Sequence, residues 1–552
     1  MRHRQNKHIL NTKKLNIRQL NKKHINTKLS NIKSSNIKSS NIKSSSIKLK
    51  KHKSLKKHQK GGKAISSGSY GCIFHPPLKC DETDKNAKIV DDTYISKLMY
   101  KDYAETEMNE ISIIRDLIDN KKLNIEKYCL IKDTIQCKPV KLTVEDLIDF
   151  DKNCKNCFNS FNSSNINSSN INSKIDADKL RIIQMKHGGM ELYYYISSFY
   201  SLSRNNNITY DSFIKIFNRL NELLIELLTN VITKLIEHNY SHNDIKSSNI
   251  LINTNIEPFL LMPNPSIDGR SVGINPSEQS PTTSTTKKTA IISEHVSEPV
   301  SEPISEHNIN PISIIDWGIG YLHDTEKLPE YFINNDDKFC FNLPYSILLF
   351  NNSLNTAINN TLLSNNQKHT LTLADTLPIY TNALITDIKS NPNQHETYVI
   401  ISNRIKNNNI CETEINTIFN EIMYSDYDEE VTTYVDNKLE TYFNKVLEKY
   451  YDNTNKTFNK QTYLNEVFVK NADIWGLLTI YDNLLDMLKY NIKAQKIRNK
   501  DNQYNKINID TLTELTVRLS NILYNYIISD TYAAQPIDIP ELIEKLKTLS
   551  II

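Results

Sequence analysis

The stretch 240–253, YSHNDIKSSNILIN, constrains this chain more than any other. It sets His242, Asp244, Lys246 and Asn249 within eight residues, then runs into the apolar triplet Ile250, Leu251 and Ile252. An H-x-D-x-x-x-x-N loop feeding a strand holds a carboxylate able to take a hydroxyl proton beside an amide oxygen suited to a hard cation. A polar loop can match four positions by chance, so the flanking chain decides what the match means.

At 552 residues the chain exceeds what one core usually supports, so two lobes plus unstructured segments are expected. Residues 1–60 carry 19 Lys or Arg and no Asp or Glu, leaving 48 basic against 63 acidic residues in the remainder, a formal −15. The net charge of +4 thus conceals a basic tail and an acidic body. The tail's repeat SNIKSSNIKSSNIKSSSIK offers neither a helical stripe nor strand alternation, so 1–60 reads as a disordered low-complexity tail. Clustered Lys without acidic neighbours suits a polyanion, nucleic acid or acidic lipid, and equally suits a plain solvated leader. Aromatic residues for stacking on bases are absent from it. No apolar run is long enough for a transmembrane segment, and the N-terminus is too polar for a secretory signal. Eight unevenly spaced Cys suggest reduced thiols and a cytoplasmic, not secreted, protein.

In chain order, KAISSGSYGCIFHPPLKC (63–80) places Gly68 and Gly71 around Ser69 and Tyr70, with Ile65, Ile73 and Phe74 as strand residues on either side. A strand–Gly turn–strand lets backbone N–H groups approach a triphosphate, although many hairpins share this spacing. Next, TYISKLMY (93–100) carries Lys97 amid apolar neighbours. A helix follows with two carboxylates for it: Glu110, which has Ile113, Ile114 and Leu117 at i+3, i+4 and i+7, and its rival Glu107 one turn earlier. A low-complexity insert near 151–178 opens with Cys154-x-x-Cys157, a metal-ligand spacing that lacks the second pair zinc would need. LRIIQMKHGGMELYYYISSF reads as a strand, a Gly188–Gly189 turn and a short helix. An amphipathic helix over 212–238 then delivers the chain into the 240–253 loop. Residues 262–310, with VSEPVSEPISEH, break all periodicity and read as disordered. After them ISIIDWGIGYL resumes a strand ending at Asp316, a common placement for a metal carboxylate. The rest reads mostly as helix, including NADIWGLLTIYDNLLDML (471–488).

A Gly loop, a strand Lys, a helical Glu, an H-x-D loop with Asn five after the Asp, and an Asp-x-Gly occur in that order. The order resembles the eukaryotic-type protein kinase family over residues 63–345 and 471–488. GSYGCIFHPPLKC, ISKLM and FNLPYSILLFN look like the divergent serine/threonine-protein kinases of large DNA viruses, mimivirus-like. The resemblance implies an α+β, bilobal protein-kinase-like fold with a small β-rich N-lobe (61–190) and a large helical C-lobe (191–552), the latter carrying a long insertion near 346–470. It implies ATP under a flap of Ile65, Ser66, Gly68, Ser69, Tyr70, Gly71 and Ile73, with Met185 to His187 as the hinge against adenine. Lys97 would meet the phosphates with Glu110 fixing it, Asp244 would be the catalytic base, and Lys246 would lie near the γ-phosphate. Asn249 and Asp316 would hold Mg²⁺, and Asp473 would be the buried aspartate that supports the catalytic loop from a long helix. The implied activity is phosphorylation of Ser/Thr hydroxyls on a protein substrate, in the host cytoplasm or virion if the chain is viral.

Departures accompany the match. Ser66 replaces a glycine, Asn243 an arginine and Trp317 a phenylalanine, and FNLPYS stands where an Ala-Pro-Glu motif would close the activation segment. A neutral Asn243 cannot clamp a phosphate as Arg does, so activity is expected not to depend on phosphorylation among the few hydroxyls of 318–342, namely Tyr321, Thr325 and Tyr331. Two other readings stay open. Small-molecule kinases of the aminoglycoside or choline type share the loop and an IDW motif, although Lys246 and Asp473 favour the protein-kinase reading. A pseudokinase scaffold would explain the odd activation segment but not the full set of phosphate- and metal-handling residues.

Overall fold

Alternating, β-branched sequence early in the chain builds the sheet that roofs the molecule. The computed structural model describes residues 62–550 apart from 69–70, 87–90, 122, 155–166, 170, 175, 205–208, 254–309, 324–341, 351–372, 391–394, 409–428, 453, 455–456 and 499–502. The basic tail, Ser69, Tyr70, Cys157, Thr325, Tyr331 and nearly all of 262–310 therefore lie outside the described residues. Strands β1 (Lys63–Ser67), β2 (Gly71–His75) and β3 (Tyr94–Tyr100) lead into helix α1 (Lys101–Lys121), followed by β4 (Ile135–Cys137) and β5 (Leu180–Lys186). The antiparallel sheet has the order β1-β2-β3-β5-β4. Lys97 on β3 lies opposite Ile73 on one side and Ile183 on the other, so it sits mid-sheet and not at an edge.

Helix α1 buries Ala104, Glu107, Ile111, Ile114 and Leu117, a stripe at three- and four-residue steps against the body of the protein. The sheet's outer face has its own small core, in which Phe74, Leu78, Leu142, Phe150 and Ile171 meet. Two short helices of the expected low-complexity insert, Phe150–Asn153 and Ile171–Lys174, contribute to it. Low-complexity sequence near 151–178 thus carries some ordered structure, because Ile171 gives that stretch an apolar anchor. Cys72 is joined to Cys154 and Cys80 to Cys137, while Cys129 is free and buried. These pairs are 82 and 57 residues apart in sequence and meet only once the sheet has formed, which cysteine spacing alone does not reveal.

Below the sheet come β6 (Met190–Glu191), α2 (Leu192–Arg204) and α3 (Tyr210–Leu227), the last continuing through a π turn to Glu237. Four short strands follow: β7 (Tyr240–Ser241), β8 (Ile250–Ile252), β9 (Ile312–Ile314) and β10 (Tyr321–Leu322). β6, β8 and β9 form a three-stranded sheet, and β10 pairs with β7. The remaining long helices are α4 (Leu373–Ser390), α5 (His395–Asn408), α6 (Glu429–Tyr450), α7 (Val469–Arg498), α8 (Gln503–Leu523) and α9 (Ile539–Lys547). The first half of helix α7 is buried nearly all round, with Ile474, Leu477, Leu478 and Tyr481 inside, and so runs through the interior. Helices α4 to α6, within the expected insertion at 346–470, are part of the same core through Leu384, Ile388, Ile401, Leu439 and Phe443. The fold is mixed α+β, and among the described residues no helix is long and apolar enough to cross a membrane.

Candidate active site

The 240–253 loop is built around Asp473. Its buried carboxylate accepts the backbone N–H of His242 and of Asn243, each at 2.7 Å. Burial pushes the Asp473 carboxyl up, and the N–H donors pull the other way. Asn243 needs this support because its φ is +62°, a left-handed conformation that costs a non-glycine residue about 1–3 kcal/mol. Gly476 brings α7 close enough, since a Cβ there would stand 2.4 Å from the Ile245 carbonyl oxygen. His242 accepts the Asp244 N–H at Nδ1 and so donates from Nε2 to the Ile315 carbonyl at 3.1 Å.

Asp244 projects from this loop with 15% of its side chain exposed. Lys246 Nζ lies 2.9 and 2.7 Å from its two oxygens, and Asn249 Nδ2 donates to Oδ2 at 2.8 Å and to the Asp244 carbonyl at 2.9 Å. A further contact was not expected from sequence: Asn342 Nδ2 donates to Asp244 Oδ1 at 3.2 Å and to the Ile245 carbonyl at 3.1 Å. The signal was present in FNLPYS, which carries Asn342, but nothing local to that motif points to the base.

Across the cleft, Lys97 Nζ lies 2.7 Å from Glu107 Oε2 and 3.1 Å from Asp316 Oδ1. Glu107, not Glu110, is therefore the helical partner, which corrects the expectation. The reason is phase: Glu107 lies on the buried stripe with Ala104 and Ile111, and Glu110 lies to one side, half-buried. Burial disfavours the Lys97 ammonium, yet Asp316 and Glu107 more than offset it and raise its pKa. Lys97 in turn holds the partly exposed Asp316 carboxyl below the usual carboxylate range. Burial pushes Glu107 up, opposed by Lys97. Gly71 packs on the Lys97 stem, where a Cβ would meet Lys97 Cγ at 3.0 Å, and the Gly68 N–H closes the turn on the Gly71 carbonyl at 2.9 Å. Ser66 lies opposite Ile73 beside a register shift in β1, while Ile65 stands exposed on that strand.

Met185 lines a narrow cavity with Glu107, Ile131, Thr134, Asp316 and Trp317. The His187 N–H donates to the Thr93 carbonyl at 2.7 Å, and its ring lies 5.1 Å from that of His75. Burial, with His75 adding to it, lowers the His187 pKa.

Asn249 and Asp316, the residues that would hold a magnesium ion, supply one amide oxygen and one carboxylate. The Ile315 N–H donates to the Asn249 carbonyl at 3.0 Å, which ties the two positions together. Both Nδ2 bonds of Asn249 go to Asp244, so its amide oxygen faces away from that residue. Asp316, at φ +67°, turns a 42% exposed carboxylate into the cleft. Amide and carboxylate oxygens are the hard donor types that Mg²⁺ takes.

Asn243 donates to the Ile319 carbonyl at 3.3 Å and accepts from Ser241 Oγ at 3.0 Å, and His323 Nε2 meets that hydroxyl at 3.2 Å. Burial lowers the His323 pKa to about 4, with Lys470 adding to it. A neutral buried network thus ties the start of the segment after Asp316 to the loop. No family model and no curated protein matches this chain.

Proposed function

We propose that this protein is a Mg²⁺- and ATP-dependent protein kinase of bilobal, kinase-like architecture that phosphorylates Ser/Thr hydroxyls of a protein substrate. The observation that carries the reading is the meeting of Lys97, Glu107 and Asp316, drawn from residues as much as 219 apart, with the Asp244–Lys246–Asn249 loop joined to Asp316 through Ile315. An unpaired buried Lys is costly, so a mid-sheet ammonium shared by two carboxylates marks a place built for charge.

In this reading Asp244 accepts the proton of the acceptor hydroxyl as its oxygen forms the bond to the γ-phosphorus, while the bond to ADP breaks and ADP leaves. Lys97 holds the phosphates, and Glu107 keeps its ammonium aimed. Lys246 supplies a positive charge next to the base. Asn249 and Asp316 would hold Mg²⁺, which neutralises phosphate charge when bound. The loop's rigidity, set by Asp473, keeps the base in place without reorganisation during the step.

The test is incubation of the full chain with labelled ATP and Mg²⁺, separately with basic protein and with aminoglycoside or choline acceptors. Label transfer to Ser or Thr of the protein acceptor is expected. Transfer to the small molecules alone would assign the site to the other kinase class, and no transfer to any acceptor would favour a scaffold.

A further inference from the structure

Residues 142–154 run as a strap along the outer side of the β1–β2 hairpin. β1 is the edge of its sheet, and the strap takes both backbone groups of Ala64 there. The Ala64 N–H donates to the Ile148 carbonyl at 3.2 Å, and Asn153 Nδ2 donates to the Ala64 carbonyl at 2.9 Å. Lys63 pairs with Asp149 at 2.7 Å, and the Phe150 ring stacks on Phe74 of β2 at 6.5 Å. Cys154 ends the strap beside Cys72 of β2, with Cα atoms 5.4 Å apart, inside the range a disulfide spans. Successive strand residues face opposite sides of a sheet. Gly71 therefore rests on the Lys97 stem while its neighbour Cys72 points into the outer core, opposite Leu98 in register. The strap's non-covalent hold is light: Val144 and Ile148 are exposed, and a surface pair such as Lys63–Asp149 contributes little. The Cys72–Cys154 bond is the strong tie between strap and hairpin.

We propose that Cys72 and Cys154 form a redox-governed fastener on the nucleotide flap. With the bond closed, β2 is held in order and ATP meets a prepared flap; with it open, the hairpin has to be ordered at each binding event. In closing, the thiolate of one cysteine attacks a small-molecule disulfide of the glutathione type and expels one thiolate. The other cysteine's thiolate then attacks the protein sulfur of this mixed disulfide and expels the second. The two protein thiols lose their protons, and two electrons pass to the small disulfide. A dithiol reverses both steps. Both protein sulfurs are buried, so exchange proceeds through local lifting of the strap. This inference rests on β1–β2 being the flap over ATP, and so on the phosphoryl-transfer reading.

The experiment measures affinity for ATP and for adenosine, thermal midpoint, and the state of each cysteine by peptide mass after alkylation. It uses the full chain as purified, after dithiothreitol, and after re-oxidation with glutathione disulfide, beside Cys72→Ser, Cys154→Ser, their double variant and Cys80→Ser. Adenosine lacks the phosphates that the flap covers, so it separates a loosened flap from a damaged fold. Cys80 pairs with Cys137 of β4, at the opposite edge of the sheet, and serves as the stability control. Reduction, Cys72→Ser and Cys154→Ser are each expected to weaken ATP binding about 5–30-fold, the scale of ordering one further backbone residue, and to leave adenosine binding unchanged. The double variant should match either single one, because all three lose the same bond. Cys80→Ser should lower the midpoint and leave ATP affinity alone. Glutathione disulfide should restore ATP affinity to the reduced parent and not to Cys72→Ser.

Equal ATP affinity in the oxidised and reduced parent, Cys72 and Cys154 still alkylated after glutathione disulfide, a bond that dithiothreitol leaves intact in the folded protein, or an equal loss in Cys80→Ser would each overturn the proposal. Should Cys72→Ser fail to fold, Cys154→Ser and the reduced parent decide it by the same comparison of ATP with adenosine. A parent that binds neither ligand removes the functional reading itself, whereas one that binds ATP equally in both redox states removes only this inference.

Discussion

Asn342 donates its side-chain amide to Oδ1 of Asp244 at 3.2 Å across 98 residues of chain. Together with Lys246 and Asn249 it leaves the carboxylate little rotational freedom, and an oriented base is worth more than a mobile one. Asn342→Ala is therefore expected to lower kcat by about tenfold or more while ATP affinity stays near the parental value. Steady-state kinetics with varied ATP and acceptor would check this, and a kcat equal to the parent's would mean the contact is idle.

Glu107 and Glu110 offer a clean comparison on one helix. Glu107→Gln removes a carboxylate from a buried ammonium and should cut kcat/KM for ATP on the order of 10–100-fold. Glu110→Gln should behave much like the parent. A larger effect at Glu110 than at Glu107 would show the helix in a different rotation when nucleotide is bound.

Asp473→Ala leaves the His242 and Asn243 N–H groups buried without an acceptor, at about 1–3 kcal/mol for each. The expected loss is on the order of 2–5 kcal/mol in thermal or denaturant unfolding, with the strained Asn243 released at the same time. A midpoint within a degree of the parent's would mean that the loop holds itself.

His323 gives the stability a pH dependence of known sign. Its folded pKa of about 4 lies below the ordinary value of about 6.5, so the unfolded chain binds a proton first as the pH falls. Its contribution is fully present above pH ~6.5 and is lost as the pH drops towards ~4, by at most about 3 kcal/mol. Replacing it in His323→Gln should flatten that part of the parent's stability profile. Unfolding free energies of the two proteins measured between pH 4 and pH 7 would show parallel curves if the ring is not buried as described.

Much of the site was legible because its parts are local in sequence. The loop 240–253, Lys97 in its strand, Asp316 at a strand end and Asp473 in an apolar helix are each recognisable from neighbours a few residues away. Glu107 was legible only as the rival of Glu110, because the sequence puts Ile113, which is only partly buried, on the apolar face with Ile114 and Leu117, whereas the buried stripe runs back through Ile111 to Glu107 and Ala104. Asn342 and the pairing of Cys72 with Cys154 depend on contacts between distant segments, which no periodicity records. The α4–α6 layer was obscured by composition: polar and Asn-rich flanks surround the stripe Leu377, Tyr380, Leu384 and Ile388 that buries it. The basic tail and the Ser-Glu-Pro stretch lie outside the described residues, so their expected disorder and polyanion binding keep the standing of expectations.

The central claim is that Asp244 is the base of a phosphoryl-transfer reaction. Asp244→Asn keeps the side chain's shape and a carbonyl oxygen for Lys246 but cannot take a proton at physiological pH. Measured with labelled ATP, Mg²⁺ and a basic protein acceptor, this variant should bind ATP like the parent and transfer phosphate about 10²–10⁴-fold more slowly. An Asp244→Asn protein that phosphorylates as fast as the parent would contradict the account.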